Sequence, residues 1–437
     1  MARTQIEYTI PEMSPELQRG PDWLRQHRQT QRDMFNSLPL PQRGLHLWRY
    51  TDPARFVFDL QSETKSTNGK FEATKAAEQR HLANGLLSGI VTDIAGRDIA
   101  THGFEEARKR GVIIGSLAEA VETHHALVAP HLYSLVNAGT GKFEAMNGAL
   151  WHDGIFIHVP DNVTIDKPIH LLRQAGGANS SSFPRLLVTV GRNTEVTLID
   201  EYGGGPVDER QGVAYANGAA EIAADDDSRV RYISLQRLAP ATRFYQTHRA
   251  RMGRGAQMLT IPLVFGGTLS KQNFGVILNG PGADSRMYGL LFGSGFQHFD
   301  NHTLHHHASG RTTSDIDFKV VLRDRALSAY TGLIRIEHAA RGCEAYQENR
   351  NLLLTEGARA ETIPELEILN EDVSCSHGAT LGPIDPLLLF YLGSRGIPHR
   401  DAVRMVVSGF VASTLEQVPG DIRDKITAFV DERLENL

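Results

Sequence analysis

A mainly β protein, with a parallel β-helix core flanked by N-terminal and C-terminal helical segments, is predicted by three observations. Short runs rich in Val, Ile, Leu and Phe succeed one another from about Gly154 onward, each of strand length. Turn formers punctuate them, among them Asp161-Asn162, Gly203-Gly204-Gly205, Asp225-Asp226-Asp227, Gly266-Gly267 and Gly280-Pro281-Gly282. Helical periodicity is confined to the two ends of the chain. Twisted open sheets rarely exceed about 10 strands without curling or splitting, so a single sandwich would be strained. A parallel β-helix instead adds coil after coil at about 4.8 Å per rung. At roughly 20–30 residues per coil, about eight to eleven coils are expected. No strict repeat is visible, and two jelly-roll or cupin-like barrels are the competing arrangement.

Residues 1–152 read as a mainly helical domain. Ser14–Ser37 sets Leu17, Leu24, Met34 and Phe35 among Arg, Gln and Asp and ends against Pro39 and Pro41. Helices are also predicted at Phe104–Arg110 and Ser116–Ala129, the second opening on Ser116 with Glu119 at capping-box spacing. Residues 153–383 form the β-helix core, with strands at Ile155–Val159, Leu186–Val190, Val196–Tyr202, Val230–Leu235, Met258–Phe265, Phe318–Leu322 and Ala329–Ile336 among others. Residues 384–437 return to helix. Asp385-Pro386 opens a run that stops at Gly396, and Asp401–Val418 carries Val403, Val407, Phe410 and Val411 at helical spacing. A last helix spans Asp421–Leu434. Helices there either cap the open end of a solenoid or dock a partner.

Composition narrows the function classes. The chain has 437 residues, 41% hydrophobic and 22% charged, an ordinary globular balance. A net charge of −6 excludes the broad basic footprint of nucleic-acid binding. Cys343 and Cys375 are the only cysteines, too few for a disulfide framework, a zinc ribbon or a four-thiolate cluster within one chain. No apolar run has the length of a membrane span, and Met1–Gly20 lacks the apolar stretch of a signal peptide, so a cytoplasmic protein is expected.

Motifs of self-sufficient enzymes are missing. Gly141-Lys142-Phe143 lacks the Ser or Thr of a phosphate loop, and position 136 is Val136 rather than Gly. Two polar clusters remain. His298, His302, His305, His306 and His307 fall within ten residues; on a strand, His305 and His307 share one face and His306 the other. Such imidazoles suit a metal, yet no carboxylate or cysteine at ligand spacing completes a site. In Asp372-Val373-Ser374-Cys375-Ser376-His377-Gly378, an extended chain projects Cys375 and His377 to one side. A thiolate beside an imidazole suits iron, but two ligands need donors from a second chain. Gln347-Glu348-Asn349-Arg350-Asn351 is read as asparagines stacking in register along the solenoid.

Gln347–Leu354, Pro364-Glu365-Leu366-Glu367-Ile368, Asp372–Thr380 and Leu389-Phe390-Tyr391-Leu392-Gly393-Ser394-Arg395-Gly396-Ile397 closely resemble the SufB/SufD family of the SUF iron–sulfur cluster assembly system. Lys142–Asn147, Gly154–Pro160 and Trp48-Arg49-Tyr50-Thr51 are similar to it as well. Cys-Ser-His-Gly-Ala-Thr and the shortage of cysteines favour the SufD branch. The resemblance implies a right-handed β-helix and a non-catalytic scaffold subunit, paired with a SufB-like subunit, each subunit holding one SufC-like ATPase through its C-terminal helices. It implies His377 as a ligand, at the subunit interface, for a transient iron–sulfur cluster or iron shared with the partner. Cys375 is the second candidate, and His307 falls where the family often has a histidine. Phe390, Tyr391 and Arg395 lie in the region implied to dock the ATPase. Reduced flavin is bound by complexes of the family, with no residue here assigned to it. The isolated chain is expected to hold no tight cofactor and to be capable of homodimerising. Thr312 lies near where some relatives place a cysteine. The rival is a cupin-like metal-dependent oxygenase or isomerase using His302, His305 and His307.

Overall fold

The protein is described by a computed structural model covering residues 8–10, 12–58, 60, 79 and 82–435. Its strand-length runs pair in parallel, each on the strand one turn earlier. Gln257, Asp284, Thr313, Glu344 and Ser374 stand one above the next, so a turn takes about 30 residues. Two sheets of 10 strands run the length of the molecule and share one core. The first passes from Asp98–His102 through Gly89–Ile94 and Ile169–Ala175 to Val373–Pro383; the second passes from Ile113–Ser116 through Ile155–Val159 to Arg359–Ile368. One strand per sheet per turn makes a parallel β-solenoid of about eight turns. Jelly rolls are antiparallel, whereas the pairings among strands from Ile155 onward are parallel, so the barrel alternative falls.

Residues 1–152 are not only helical: three of their strands begin the two sheets. Gly89–Ile94 and Asp98–His102 form an antiparallel hairpin, closed by Ala95 and Gly96 at φ +57° and +71°. Arg97 completes the three-residue loop, its N–H bonding Ile94 O (3.1 Å); two successive positive φ values match strand twist, and Ala in place of Asn or Asp hides that signal in the sequence. The first helix begins at Asp22 rather than near Ser14, because Gly20 (φ +104°) and Pro21 hold an extended entry. Ser116 caps Leu117–Thr123 through the Glu119 N–H (3.0 Å), as its spacing foretold. His124 (φ −128°, ψ 39°) then breaks the helix before His125–Val128.

Helices cover the outer faces of both sheets. The N-terminal segments lay Phe35, Trp48, Phe56, Phe143 and Trp151 over Phe156, Leu187, Tyr215 and Tyr245 of the second sheet. The C-terminal helices His399–Leu415 and Gly420–Leu434 lay Val403, Val407, Val411, Ile422, Ile426 and Val430 over Ile199, Ile233, Ile261 and Leu290 of the first. Strands buried on both faces lose the in-out alternation of apolar and polar residues: every residue of Ile169–Ala175 and Arg185–Val190 is buried, the polar His170, Arg173, Gln174, Arg185 and Thr189 included. Cover fades toward the last turns, where Arg359–Ile368 and Val373–Pro383 are largely exposed or half-buried. Among the described residues no helix is long and apolar enough to cross a membrane.

The expected asparagine ladder is absent. Asn349 stacks between Phe318 and Ala379, and its amide donates to Phe318 O (2.8 Å); Asn351 donates to Asn349 Oδ1 and Thr380 O. The two asparagines bond each other within one strand and the backbone of the neighbouring rungs, and Phe318 and Ala379 rather than further asparagines stand above and below Asn349.

Candidate functional site at the open end of the solenoid

Strand alternation fixes which side chains face inward at the last turn. Along Cys343–Leu353 the odd-numbered Cys343, Ala345, Gln347 and Asn349 are buried. Val373–Pro383 stacks on this strand with Cys375 over Ala345 and His377 over Gln347, so both face the interior side, about 6.7 Å apart along the strand. Among the described residues no further strand of this sheet follows, and that side opens: His377 is exposed and Cys375 half-buried.

Cys375 packs against Ile334, Ile336, Cys343 and Ala345. Burial pushes its thiol pKa up, and nearby Cys343 adds to the shift, so the sulfur stays protonated at neutral pH. The imidazole of His377 is thus the more available donor. Around it, Val373–Pro383 and Arg359–Ile368 each pair on one edge only. Among the described residues their far edges are free, and Ile368, Leu369 and Leu381 stand exposed beside them. An unpaired edge with apolar neighbours is a template for another chain.

His307 is not part of this edge. Its strand, His298–His307, lies two strands inward, and its imidazole is fully buried. Thr312 spends its hydroxyl proton on Ser309 O (3.0 Å), so His307 Nδ1 donates to Thr312 Oγ1 (2.7 Å) and Nε2 accepts from Ser314 (2.9 Å). Burial pushes its pKa down to about 4. Thr312 also meets the buried Cys343 sulfur at 3.2 Å. His307 therefore braces the core beneath Cys375 and keeps no lone pair for a metal.

The histidine cluster is divided by the same alternation. His305 turns inward to Ser285 (3.1 Å), while His306 faces out to Glu337 (2.8 Å). His298 and His302 face out beneath the N-terminal segment, joined to Thr51, Asp300 and Lys271. Burial pushes the Asp300 carboxyl up, but Lys271 and His302 outweigh it and hold it below the usual carboxylate range. Among the described residues no three His, Cys, Asp or Glu side chains are placed to hold a metal ion, and His302 faces out while His305 and His307 face in, so the three do not converge.

The helix Pro386–Ser394 follows the last strand. Asp385 caps it, accepting from Leu387 N (2.9 Å). None of its residues is buried: Leu387 and Phe390 are 75% and 76% exposed, and Tyr391 lies under the Arg395 guanidinium at 5.1 Å. Sequence reasoning missed the buried anchor of the N-terminal cover, where Glu221 accepts from Arg185 (2.6 Å) and from the N–H groups of Tyr133, Leu135 and Val136. Its partners are scattered along the chain, so no local motif announces it.

Comparison with known proteins agrees with this architecture. Residues 172–410 match the family model described as SUF system FeS cluster assembly, SufBD core domain, and residues 17–171 match the SufBD protein N-terminal region. Proteins named iron-sulfur cluster assembly SufBD family protein, from Staphylococcus saprophyticus, Staphylococcus epidermidis and Staphylococcus aureus, are each 26% identical over 446 aligned positions. The alignments cover 99% of this chain and 94% of each relative. The chain belongs to the SufBD family of iron–sulfur cluster assembly proteins.

Proposed function

We propose that this chain is a SufD-like scaffold subunit, which pairs with a SufB-like subunit through the open end of its solenoid and offers His377 to the nascent cluster. The observation that carries this reading is the exposed His377 on the free terminal strand, beside Cys375 and exposed apolar residues. One imidazole and one protonated thiol are too few to hold a cluster, so the remaining donors come from the partner. The cluster is cargo: the chain supplies a ligand and a surface and turns over no substrate. His377 is the ligand, Cys375 a second donor once deprotonated, and His307 a brace.

Pro386–Ser394 docks a SufC-like ATPase through Phe390 and Tyr391, with Arg395 at the helix end. Dimerisation of two ATPases would pull on the C-terminal helices, which are tied to the first sheet through Lys319 and Ser413. Such a pull shifts the interface only if the ATPase binds the shifted state more tightly. An imidazole binds metal only when neutral, so assembly weakens at acid pH.

The test is co-purification of the tagged chain from cells co-expressing SufB-like and SufC-like proteins, followed by anaerobic iron and sulfide analysis. His377→Ala is expected to leave the complex assembled while lowering iron and sulfide. Loss of the complex instead makes His377 structural, and a chain that ignores both partners overturns the reading.

A further inference from the structure

The interior of the solenoid carries a polar layer between two apolar ones. Strand alternation and register turn Gln246, Gln272 and Asn301 inward, one above the next on three successive turns of the second sheet. Ala250, Val276 and Leu278 belong to the apolar cluster on one side of them, and Val264, Leu291 and Phe299 to that on the other. From the first sheet, Thr260 stacks over Tyr232, and Ser234 stands two residues further along the same inner face. Tyr330 ends the stack, its hydroxyl bonded to Thr303 (2.7 Å).

Six side chains of this layer, each no more than 1% exposed, keep polar atoms that no described residue meets. Gln246 and Gln272 donate their amides to Tyr202 Oη (3.3 Å) and Ser270 (3.0 Å), while both Oε1 atoms lack a donor. Asn301 has a partner at neither Oδ1 nor Nδ2, and the hydroxyls of Ser234 and Thr260 have none. His248 stacks on Tyr232, ring centres 4.5 Å apart, and both of its ring nitrogens are unmet. Burial, with Arg249 adding to it, pushes the His248 pKa down to about 3, so the ring is neutral and offers one donor and one acceptor.

Buried polar groups of native proteins are almost always met, by the protein or by ordered water. The unmet set here mixes acceptors, donors and hydroxyls that do either, and none of the six side chains is charged. It matches a small neutral molecule that both donates and accepts. Room exists beside it: a methyl group placed on Gly218, in register with Gln246, would come no closer than 3.4 Å to Gln246 and the Tyr202 oxygen. We infer that this layer binds a chain of about three ordered waters, each making about three hydrogen bonds. The waters bridge the amides of the second sheet to Ser234 and Thr260 of the first and to His248, tying the two sheets together through the middle turns.

The test is a crystal structure of the full chain at a resolution that shows waters, with melting curves of Asn301→Leu and His248→Phe. Discrete water density within hydrogen-bond reach of Asn301, His248 and Gln272 Oε1 is expected. Both substitutions are close in shape and remove only polar groups that meet no protein atom. With waters bound, each lowers the melting temperature by about 2 °C or more, because a bridge is broken and its other partners are left buried and unmet. In a dry layer each raises it, since an unpaired buried group gives way to an apolar one. An interior without water density, amides that bond one another in the crystal, or a raised melting temperature in either variant overturns the proposal. Should a variant fail to fold, the crystal structure of the unchanged chain decides.

Discussion

Burial decides what each histidine of the 298–307 strand does. His305 and His307 stay neutral inside the solenoid, pushed down to about 3 and about 4 by loss of solvent. In the unfolded chain they titrate near 6.5. Between pH 6.5 and 4 the unfolded state therefore binds more protons, and stability falls as pH falls through that window. The His307 contribution is on the order of 3 kcal/mol at one proton per site. His307→Gln, which keeps a hydrogen-bonding side chain but cannot titrate, should flatten the fall in melting temperature between pH 6.5 and 4.5; an unchanged slope would place the acid sensitivity elsewhere. Glu221 is the residue-scale counterpart among carboxylates. Glu221→Ala strands Arg185 in the core and should cost about 3–5 kcal/mol, read as a lower urea midpoint. At this scale the sequence was partly legible: period two foretold that His305 and His307 share a face opposite His306, and that Cys375 and His377 share a side. The hydrogen bonds that consume His307 come from residues beyond its own strand, which no spacing rule reaches.

Elements were readable where their pattern met an ordinary environment. Ser116 announced its helix by cap chemistry and Asp385-Pro386 the start of another, and the side chains of Ser116 and Asp385 each accept the N–H of a cap. Lys142–Leu150 escaped because all nine of its residues are buried, so no polar face marks a helical period. Ala214–Ala224 escaped because alanine is a poor strand former; it is nonetheless buried throughout, lying in the second sheet beneath the N-terminal cover. The exposed helix Pro386–Ser394 carries two predictions. Phe390→Ala with Tyr391→Ala should weaken capture of a SufC-like ATPase about 30-fold, the effect of losing about 2 kcal/mol from an aromatic anchor, while leaving the melting temperature unchanged. Asp385→Ala removes the cap, about 1 kcal/mol of helix stability, and should weaken the same capture less. Both are read by surface-immobilised binding of purified proteins.

At the scale of the molecule, the parallel solenoid followed from punctuation and length alone, because strands of this number have few other ways to close a core. The repeat itself was invisible, since successive rungs stack unlike residues, as Gln257, Asp284, Thr313, Glu344 and Ser374 do. The graded cover was equally hidden: helices from both chain ends shield the early and middle turns and leave the last ones bare. That gradient leaves the terminal strands, and His377 among them, uncovered for the proposed interface. Hydrogen–deuterium exchange of the purified chain, alone and with a SufB-like partner, tests this most directly. The account predicts strong new protection of backbone amides in Arg359–Ile368 and Val373–Pro383. A stable complex in which those strands exchange as freely as in the isolated chain would contradict it.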